Sequence, residues 1–96
     1  MTAKKIIITG GATRIGAAIA NSLANYETAI TIHYNKSKNN ALKLKKELEN
    51  LGSEVHLIKA DLNNINQTQK LLKIAYKKMR GIDCLINNAS LFENAV

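Results

Sequence analysis

Short apolar runs alternate with amphipathic segments along the chain of 96 residues. Residues 5–9 form a β-branched run that ends at two glycines, which is typical of a strand buried on both faces. Similar runs at residues 28–34 and 54–59, and a shorter one at residues 83–87, predict three further strands. The pattern therefore predicts four strands, each separated from the next by a segment long enough for a helix.

The three intervening segments carry apolar residues three or four positions apart, which is the spacing of an amphipathic helix. The first predicted helix follows the glycines and extends to about Asn25, the second covers residues 38–51 and the third covers residues 65–79. We expect residues 88–96 to have no regular structure. The positions predicted to face the core are Ile15, Ile19, Ala20 and Leu23 in the first helix, Ala41, Leu44, Leu48 and Leu51 in the second, and Ile65, Leu72, Ala75 and Met79 in the third.

Strands that alternate with helices of this length imply right-handed crossovers and a parallel sheet. The sequence therefore predicts an α/β fold, a Rossmann-type doubly wound parallel sheet with the strand order 3-2-1-4. The first two helices should cover one face and the third helix the other, because strand four lies on the far side of strand one. With only four strands, the fourth is expected to be an open edge beside uncovered apolar surface.

Composition places the chain among soluble globular proteins, with 46% hydrophobic residues. The longest aliphatic run, residues 6–8, is far shorter than a membrane span or the apolar region of a signal peptide, so we expect a cytoplasmic protein with no membrane partner. Cys84 is the single cysteine, which excludes an intramolecular disulfide and argues against a cysteine-ligated metal site. We expect it to be a small buried side chain on a strand.

The formal net charge of +7 would suit nucleic acid, an anionic membrane or a phosphorylated cofactor. The lysines are spread along the predicted outer faces of the helices, with Glu47 and Glu49 among them, which is typical of solvated helix surface. This distribution argues against nucleic acid and leaves the cofactor to be judged from local motifs.

The glycine-rich segment at residues 9–16 lies between the first strand and the first helix. Glycines let the backbone turn tightly and approach a pyrophosphate, while the free N–H groups at the start of the helix face the anion. The strand, turn, helix and strand fit within about 30 residues, as in a dinucleotide-binding unit. The alternative is an ordinary tight turn in an α/β protein that binds no nucleotide.

The same segment resembles the Thr-Gly-x-x-x-Gly-x-Gly loop of the short-chain dehydrogenase/reductase family, classical type. Gly10 and Gly16 match the outer glycines, and Arg14 stands where the middle glycine usually lies. An arginine at this place is similar to the pteridine reductase-like branch of the family. That resemblance implies a cofactor with an additional phosphate, NADP(H).

The residues at the end of the second strand give a separate indication of whether the cofactor is NAD(H) or NADP(H). Rossmann domains selective for NAD place an acid there to accept hydrogen bonds from the ribose hydroxyls, but residues 33–37 contain none. Lys36 and Arg14 supply cations and Ser37 a hydroxyl donor, a set complementary to a 2′-phosphate. The prediction is therefore NADP(H) over NAD(H), the alternative being that Lys36 is one more surface lysine.

Two later motifs extend the resemblance. Asp61 and Leu62 follow the third strand and look like the family's Asp-Leu pair, which implies that the Asp61 carboxylate binds the adenine amino group while Leu62 flanks the ring. Residues 87–90 look like the family's Asn-Asn-Ala-Gly motif with Ser90 replacing the glycine, although a strand end alone would also explain an asparagine pair. By resemblance to pteridine reductases, Ser90 and Phe92 would face the substrate.

Together these motifs imply a cofactor site and no catalytic residues. The Tyr-x-x-x-Lys pair that moves the proton in this family belongs to a later helix. Tyr34 and Lys38 also fit that spacing, but they lie at the end of the second strand, where side chains would meet the adenosine end of the cofactor. His33 and His56 are interpreted as structural or cofactor-edge residues. The predicted cofactor-binding residues are Gly10, Thr13, Arg14, Ile15, Gly16, Tyr34, Asn35, Lys36, Ser37, Asp61, Leu62, Asn88, Ala89 and Ser90.

The functional hypothesis is that residues 1–96 are the N-terminal, NADP(H)-binding portion of a single Rossmann domain, without the C-terminal catalytic portion. The parent reaction would be hydride transfer to a carbonyl or pterin, and the chain would be inactive alone. It would be either cut short or completed by a separate C-terminal polypeptide. The alternative from a different class is a non-catalytic nucleotide-binding or protein-interaction remnant. The substrate and the oligomeric state stay open.

Overall fold

The structure is a computed structural model that describes residues 3–89. The elements are β1 (Lys4–Thr9), α1 (Arg14–Leu23), β2 (Thr28–Tyr34), α2 (Lys38–Asn50), β3 (Glu54–Lys59), α3 (Ile65–Met79) and β4 (Cys84–Asn87). The predicted bounds of β2, β3 and α3 are confirmed, and the other elements differ from prediction by one or two residues at an end. Ser90 and Phe92, which were predicted to face the substrate, lie outside the described residues.

The four strands form one parallel sheet in the order β3-β2-β1-β4. Across its centre, Ile8 pairs with Ile32 of β2 on one side and with Ile86 of β4 on the other. This register brings the carboxyl ends of all four strands to the same edge of the sheet. The predicted Rossmann-type α/β fold and its strand order are confirmed.

Each face of the sheet has its own apolar core, because successive strand residues point to opposite faces. Helices α1 and α2 pack on one face and α3 on the other, as predicted. The first core contains Ile6, Ile8, Ala20, Ile30, Ile32, Leu44, Leu48 and Val55, and the second contains Ile7, Ala29, Ile58, Ala60, Leu71, Ala75 and Met79.

The predicted inward stripe of α3 was partly wrong. Leu71, Ala75 and Met79 face the sheet, whereas Ile65 and Leu72 are 70% and 39% exposed. Residues four apart lie on one side of a helix, but a single step turns the side chain by about 100°, so Leu72 cannot share the face of Leu71. Two apolar stripes run along this helix, and only contact with the sheet shows which one is buried.

Three further expectations of burial were wrong. Ile15 is 66% exposed in the first turn of α1, and Leu51 is exposed just past the end of α2. Cys84 is exposed because β4 pairs only with β1 among the described residues. Its neighbour Leu85 is also exposed, in agreement with the expected open edge beside apolar surface.

Within residues 3–89, no helix is long and apolar enough to cross a membrane. The cytoplasmic location stays a prediction.

Candidate functional site

A cavity of about 270 Å³ opens at the edge of the sheet where the strands end. Ligands of doubly wound folds bind outside the carboxyl ends of the strands, so its position is that of a binding site. We call it the cleft. Its lining residues follow β1, β2, β3 and β4 in turn, and they are Gly10, Ala12, Thr13, His33, Tyr34, Asn35, Lys36, Ser37, Ala60, Asp61, Leu62, Asn63 and Ala89.

The glycine loop forms one wall of the cleft and requires glycine at two positions. Gly10 has a φ of 62°, in the left-handed region, and a Cβ there would lie 3.0 Å from the Cα of Ala89. At Gly16 a Cβ would lie 2.6 Å from the Cα of Gly11. The first glycine therefore allows the turn, and the second allows α1 to begin directly against the loop.

Thr13 caps α1 and holds the loop closed. Its Oγ1 donates to the Gly10 carbonyl at 2.8 Å and accepts from the Gly16 N–H at 3.2 Å. The backbone N–H groups of Arg14 and Ile15 have no acceptor within residues 3–89, and the first turn contains no acidic side chain. An anion at this helix end would therefore meet free donors and the positive end of the helix dipole.

The asparagine pair at the end of β4, Asn87 and Asn88, supports the loop from the other side. The Asn88 Nδ2 donates to the Gly10 carbonyl at 3.0 Å and to Thr13 Oγ1 at 3.2 Å. Thr9 Oγ1 donates to Asn87 Oδ1 at 2.9 Å and accepts from the Ala89 N–H at 3.1 Å. The pair therefore connects β4 to the glycine loop, and Asn88, a predicted cofactor-binding residue, lies outside the cleft lining.

His33 lies at the end of β2 and is only 3% exposed. Its Nδ1 accepts the Gly10 N–H at 2.9 Å, so Nδ1 must carry a lone pair. Its Nε2, 2.8 Å from the Ala60 carbonyl oxygen, then carries the proton and donates. Burial lowers the pKa of His33 below 6.5 despite the opposing bond to Ala60, which agrees with a neutral ring.

The ribose loop, residues 34–37, lines the cleft between β2 and α2. Lys36 and Ser37 are exposed there, and Lys36 is the only Lys or Arg in the described lining. Ser37 is the N-cap residue of α2, yet its side chain makes no capping hydrogen bond. The loop thus offers a cation, a free hydroxyl and a helix amino end, a set of groups that suits a phosphate.

The opposite wall follows β3, where Asp61 supplies the only carboxylate in the described lining. Asp61 Oδ1 accepts the Asn63 N–H at 2.9 Å, and the Asp61 N–H donates to Gln67 Oε1 at 2.7 Å. The first bond orients the carboxyl group and the second holds the backbone, while Oδ2 has no donor among residues 3–89. With Leu62 beside it, this wall presents one acceptor and one apolar surface.

Most predicted site residues meet in the cleft, but some do not. Arg14 and Ile15 are exposed at the first turn of α1 and, with Gly16, lie outside the lining. Ser90 lies outside the described residues. Ala12, Ala60 and Asn63 also line the cleft and were not predicted from the sequence. Alanine has no chemical signature, so only their positions next to Thr13, Asp61 and Leu62 could have indicated them.

Tyr34 and Lys38 lie on different elements, β2 and α2, so they do not form the helical pair of a proton-transfer site. In the described part of the chain, no group of three His, Cys, Asp or Glu residues is placed to hold a metal ion.

The fold and the cleft agree with comparisons to known proteins. The sequence profile described as short chain dehydrogenase matches residues 4–96, and the chain belongs to this family. It is 32% identical over 88 residues to a short-chain dehydrogenase/reductase from Pestalotiopsis microspora, a match that covers 92% of this chain and 33% of the fungal one. The chain is also 27% identical over 88 residues to the short-chain dehydrogenase/reductase homolog YusS of Bacillus subtilis, and this match covers 92% of this chain and 81% of YusS.

Solved structures show the same arrangement. A dehydrogenase from Burkholderia cenocepacia with bound NADP superposes with a TM-score of 0.83 at 32% identity, covering 90% of this chain and 34% of that one. An NADH-dependent reductase, A1-R′, complexed with NAD gives a TM-score of 0.84 at 30% identity, covering 93% and 37%. The chain therefore spans about a third of the length of most of these relatives.

Proposed function

We propose that the cleft binds NADP(H) and that the chain is the cofactor-binding portion of an oxidoreductase. In this arrangement the pyrophosphate lies against the N–H groups of Arg14 and Ile15, and the adenine lies between Asp61 and Leu62. The nicotinamide end then extends toward Ala89. Family membership and the shape of the cleft support a dinucleotide; they do not by themselves separate NADP from NAD, because relatives with either cofactor share the fold.

The single observation that carries the choice of NADP(H) is the chemistry of the ribose loop. Lys36 and Ser37 line the cleft, and no carboxylate lies among residues 33–37 to repel a 2′-phosphate. A charge-assisted bond from Lys36 would form only with the phosphorylated cofactor. Arg14 adds positive charge to the same end of the molecule, although its side chain lies outside the lining.

In the whole protein we propose hydride transfer between this cofactor and a carbonyl or pterin. The bound cofactor supplies the hydride, and the residues described here bind it, orient it and hold its phosphates. The pteridine reductase-like subtype rests on Arg14 in the glycine loop and on Ser90 after the asparagine pair. Because no tyrosine and lysine share a helix turn beside the cleft in residues 3–89, we expect these residues to bind cofactor without turning it over.

Calorimetric titration of the chain with NADP⁺ and with NAD⁺ tests the cofactor choice. We expect NADP⁺ to bind at least about tenfold more tightly, the value of one charge-assisted hydrogen bond. Lys36→Met should remove most of that advantage and leave NAD⁺ affinity within about twofold, because only the 2′-phosphate contact is lost.

Lys38→Met is the matched control, since Lys38 is the next lysine along the chain and lies outside the cleft lining. It should change neither affinity. Equal or tighter binding of NAD⁺ by the unmodified chain would contradict the proposed preference, and binding of neither cofactor by a folded chain would contradict the proposed function.

A further inference from the structure

Two consecutive N–H groups of the glycine loop donate to one residue, His33. The Gly10 N–H bonds to its ring at 2.9 Å, and the Gly11 N–H bonds to its backbone carbonyl at 3.1 Å. The end of β2 therefore fixes the path of the chain as it leaves β1. Neither of these two N–H groups is available to a ligand, which leaves anion binding to the N–H groups further along, at the start of α1.

The other side of the same ring reaches β3. Nε2 donates to the carbonyl of Ala60 at 2.8 Å, and the next residue, Asp61, forms the opposite wall of the cleft. One buried imidazole thus spans the glycine loop and the Asp61 wall. A planar ring with one donor and one acceptor at fixed positions sets the spacing between those walls more rigidly than a flexible side chain would.

We infer that His33 is a positioning residue for the cofactor. Its ring, with Nδ1 unprotonated and Nε2 protonated, holds the glycine loop and the Asp61 wall at the separation that the dinucleotide requires. This inference rests on the proposed function of the cleft. It assigns His33 no contact with the reacting atoms, only control of the groups that make the contacts.

If His33 has this role, cofactor binding depends on the protonation of one atom, Nδ1. If Nδ1 were protonated, it would become a donor facing the Gly10 N–H, which is also a donor, and the hydrogen bond between them would be lost. The other ionisable groups lining the cleft are Tyr34, Lys36 and Asp61, and Lys59 is exposed on the neighbouring strand. The residues of α3 that pack on this face, Leu71, Ala75 and Met79, carry no titratable group.

Two amide variants separate the two bonds of the ring. An asparagine oxygen reaches the region of Nδ1, so His33→Asn retains an acceptor for the Gly10 N–H and cannot be protonated. A glutamine amide reaches the region of Nε2, so His33→Gln retains the link to Ala60 and leaves the Gly10 N–H unpaired. Calorimetric titration with NADP⁺ at pH 7.5 should show about fivefold to tenfold weaker binding by His33→Gln than by the unmodified chain, and a smaller loss by His33→Asn, which keeps the bond to the glycine loop and gives up the one to Ala60.

Calorimetric titration at lower pH measures how NADP⁺ affinity depends on pH, and a purely structural role of His33 would not change that dependence. The affinity of the unmodified chain should fall relative to that of His33→Asn only at pH values below 6.5, because burial holds the pKa of His33 in the folded chain under that ordinary value. The 2′-phosphate of the cofactor also takes up a proton near pH 6, as phosphate monoesters do. This protonation should affect the unmodified chain and His33→Asn at about the same pH. The ratio of the two affinities at each pH therefore isolates His33.

His56→Asn is the matched control, because His56 pairs with Glu54 at the other end of β3. It should leave both the affinity and its pH dependence unchanged. Equal affinities for His33→Gln and the unmodified chain, or an equal loss in both His33 variants, would overturn the inference. If the unmodified chain binds no dinucleotide, the proposed function fails instead.

Nitrogen NMR of the unmodified chain covers the case in which the variants do not fold. The long-range proton–nitrogen spectrum of the His33 ring near pH 7 should show Nδ1 without a proton and Nε2 with one. The opposite tautomer, or a ring protonated on both nitrogens, would overturn the inference.

Discussion

The two loops that meet in the cleft are built differently. The glycine loop is held by hydrogen bonds from three directions, involving Thr13, His33 and Asn88, before any ligand arrives. The ribose loop is exposed, and Lys36 and Ser37 make no hydrogen bond with their side chains within the described residues. In the proposed function, the first loop is a preorganised site for what all nicotinamide dinucleotides share, and the second loop is proposed to determine the choice between NADP and NAD through a few exposed side chains.

The largest effect should follow from altering the preorganised loop. Gly16→Ala places a Cβ within 2.6 Å of the Gly11 Cα, so the loop and the start of α1 must separate. We expect at least about a hundredfold loss of affinity for both NADP⁺ and NAD⁺, since the pyrophosphate site itself is displaced. Titration calorimetry measures both affinities, and circular dichroism shows whether the chain still folds.

Gly81→Ala is the control for this loss, because an alanine is strained there as well, by the φ of 141°, but Gly81 lies outside the cleft lining. It should lower the unfolding temperature and leave cofactor affinity unchanged. A selective loss of one cofactor in Gly16→Ala would contradict the division of roles between the loops.

A change in the ribose loop should instead reverse the preference. Asn35→Asp adds the acid that NAD-selective domains carry at the end of the second strand, and it repels a 2′-phosphate beside Lys36. We expect NADP⁺ affinity to fall about thirtyfold, somewhat more than the tenfold of one charge-assisted hydrogen bond, because the new carboxylate repels the phosphate and competes for Lys36, while NAD⁺ affinity rises or stays constant. Asn50→Asp, at the far end of α2, should alter neither affinity. A parallel loss of both cofactors would show that the ribose loop also shapes the pyrophosphate site.

Stability should depend on pH through the neutral ring under the glycine loop. Because burial lowers the pKa of His33 in the folded chain, the unfolded chain takes up a proton first as the pH falls. This contribution is fully present above about pH 6.5 and is lost progressively below it, by at most about 1.4 kcal/mol per pH unit, until the folded chain is protonated too. Urea unfolding from pH 8 to pH 5 should show this loss in the unmodified chain and a smaller one in His33→Asn. An equal loss in both proteins would assign the effect to other groups.

The smallest effect expected is loss of the α1 cap. Thr13→Ala removes the acceptor for the Gly16 N–H and the Asn88 amide, and should cost about 1 kcal/mol of stability and a few-fold in affinity for both cofactors. Thr13→Ser keeps the hydroxyl and should recover most of both. If the serine variant recovered neither, the threonine methyl rather than the hydroxyl would be the important group.

The sequence was sufficient for the framework and for most of the cleft. Strand runs, helix spacing and the glycine loop are local signals, so the strand order and the placement of residues 34–37 and Asp61 followed from them. Burial was harder to predict because it depends on what packs nearby. Two overlapping apolar stripes on α3 made Leu72 look internal, and the edge position of β4 left Cys84 exposed.

The role of His33 also could not be read from its neighbours in the sequence. Its two hydrogen bonds depend on the register that brings Gly10 beside β2 and on the position of the Ala60 carbonyl after β3. Both are long-range features of the sheet. The sequence alone allowed only a structural or cofactor-edge interpretation, and the distances now specify which ring nitrogen carries the proton.

The most direct measurement is an amide NMR titration of the chain with NADP⁺. We expect saturable shifts at the N–H groups of Arg14 and Ile15 and, in the ribose loop, at those of Lys36 and Ser37. NAD⁺ should shift the first pair and leave the second nearly unchanged. Absence of shifts at Arg14 and Ile15, or shifts confined to residues away from the cleft, would contradict it.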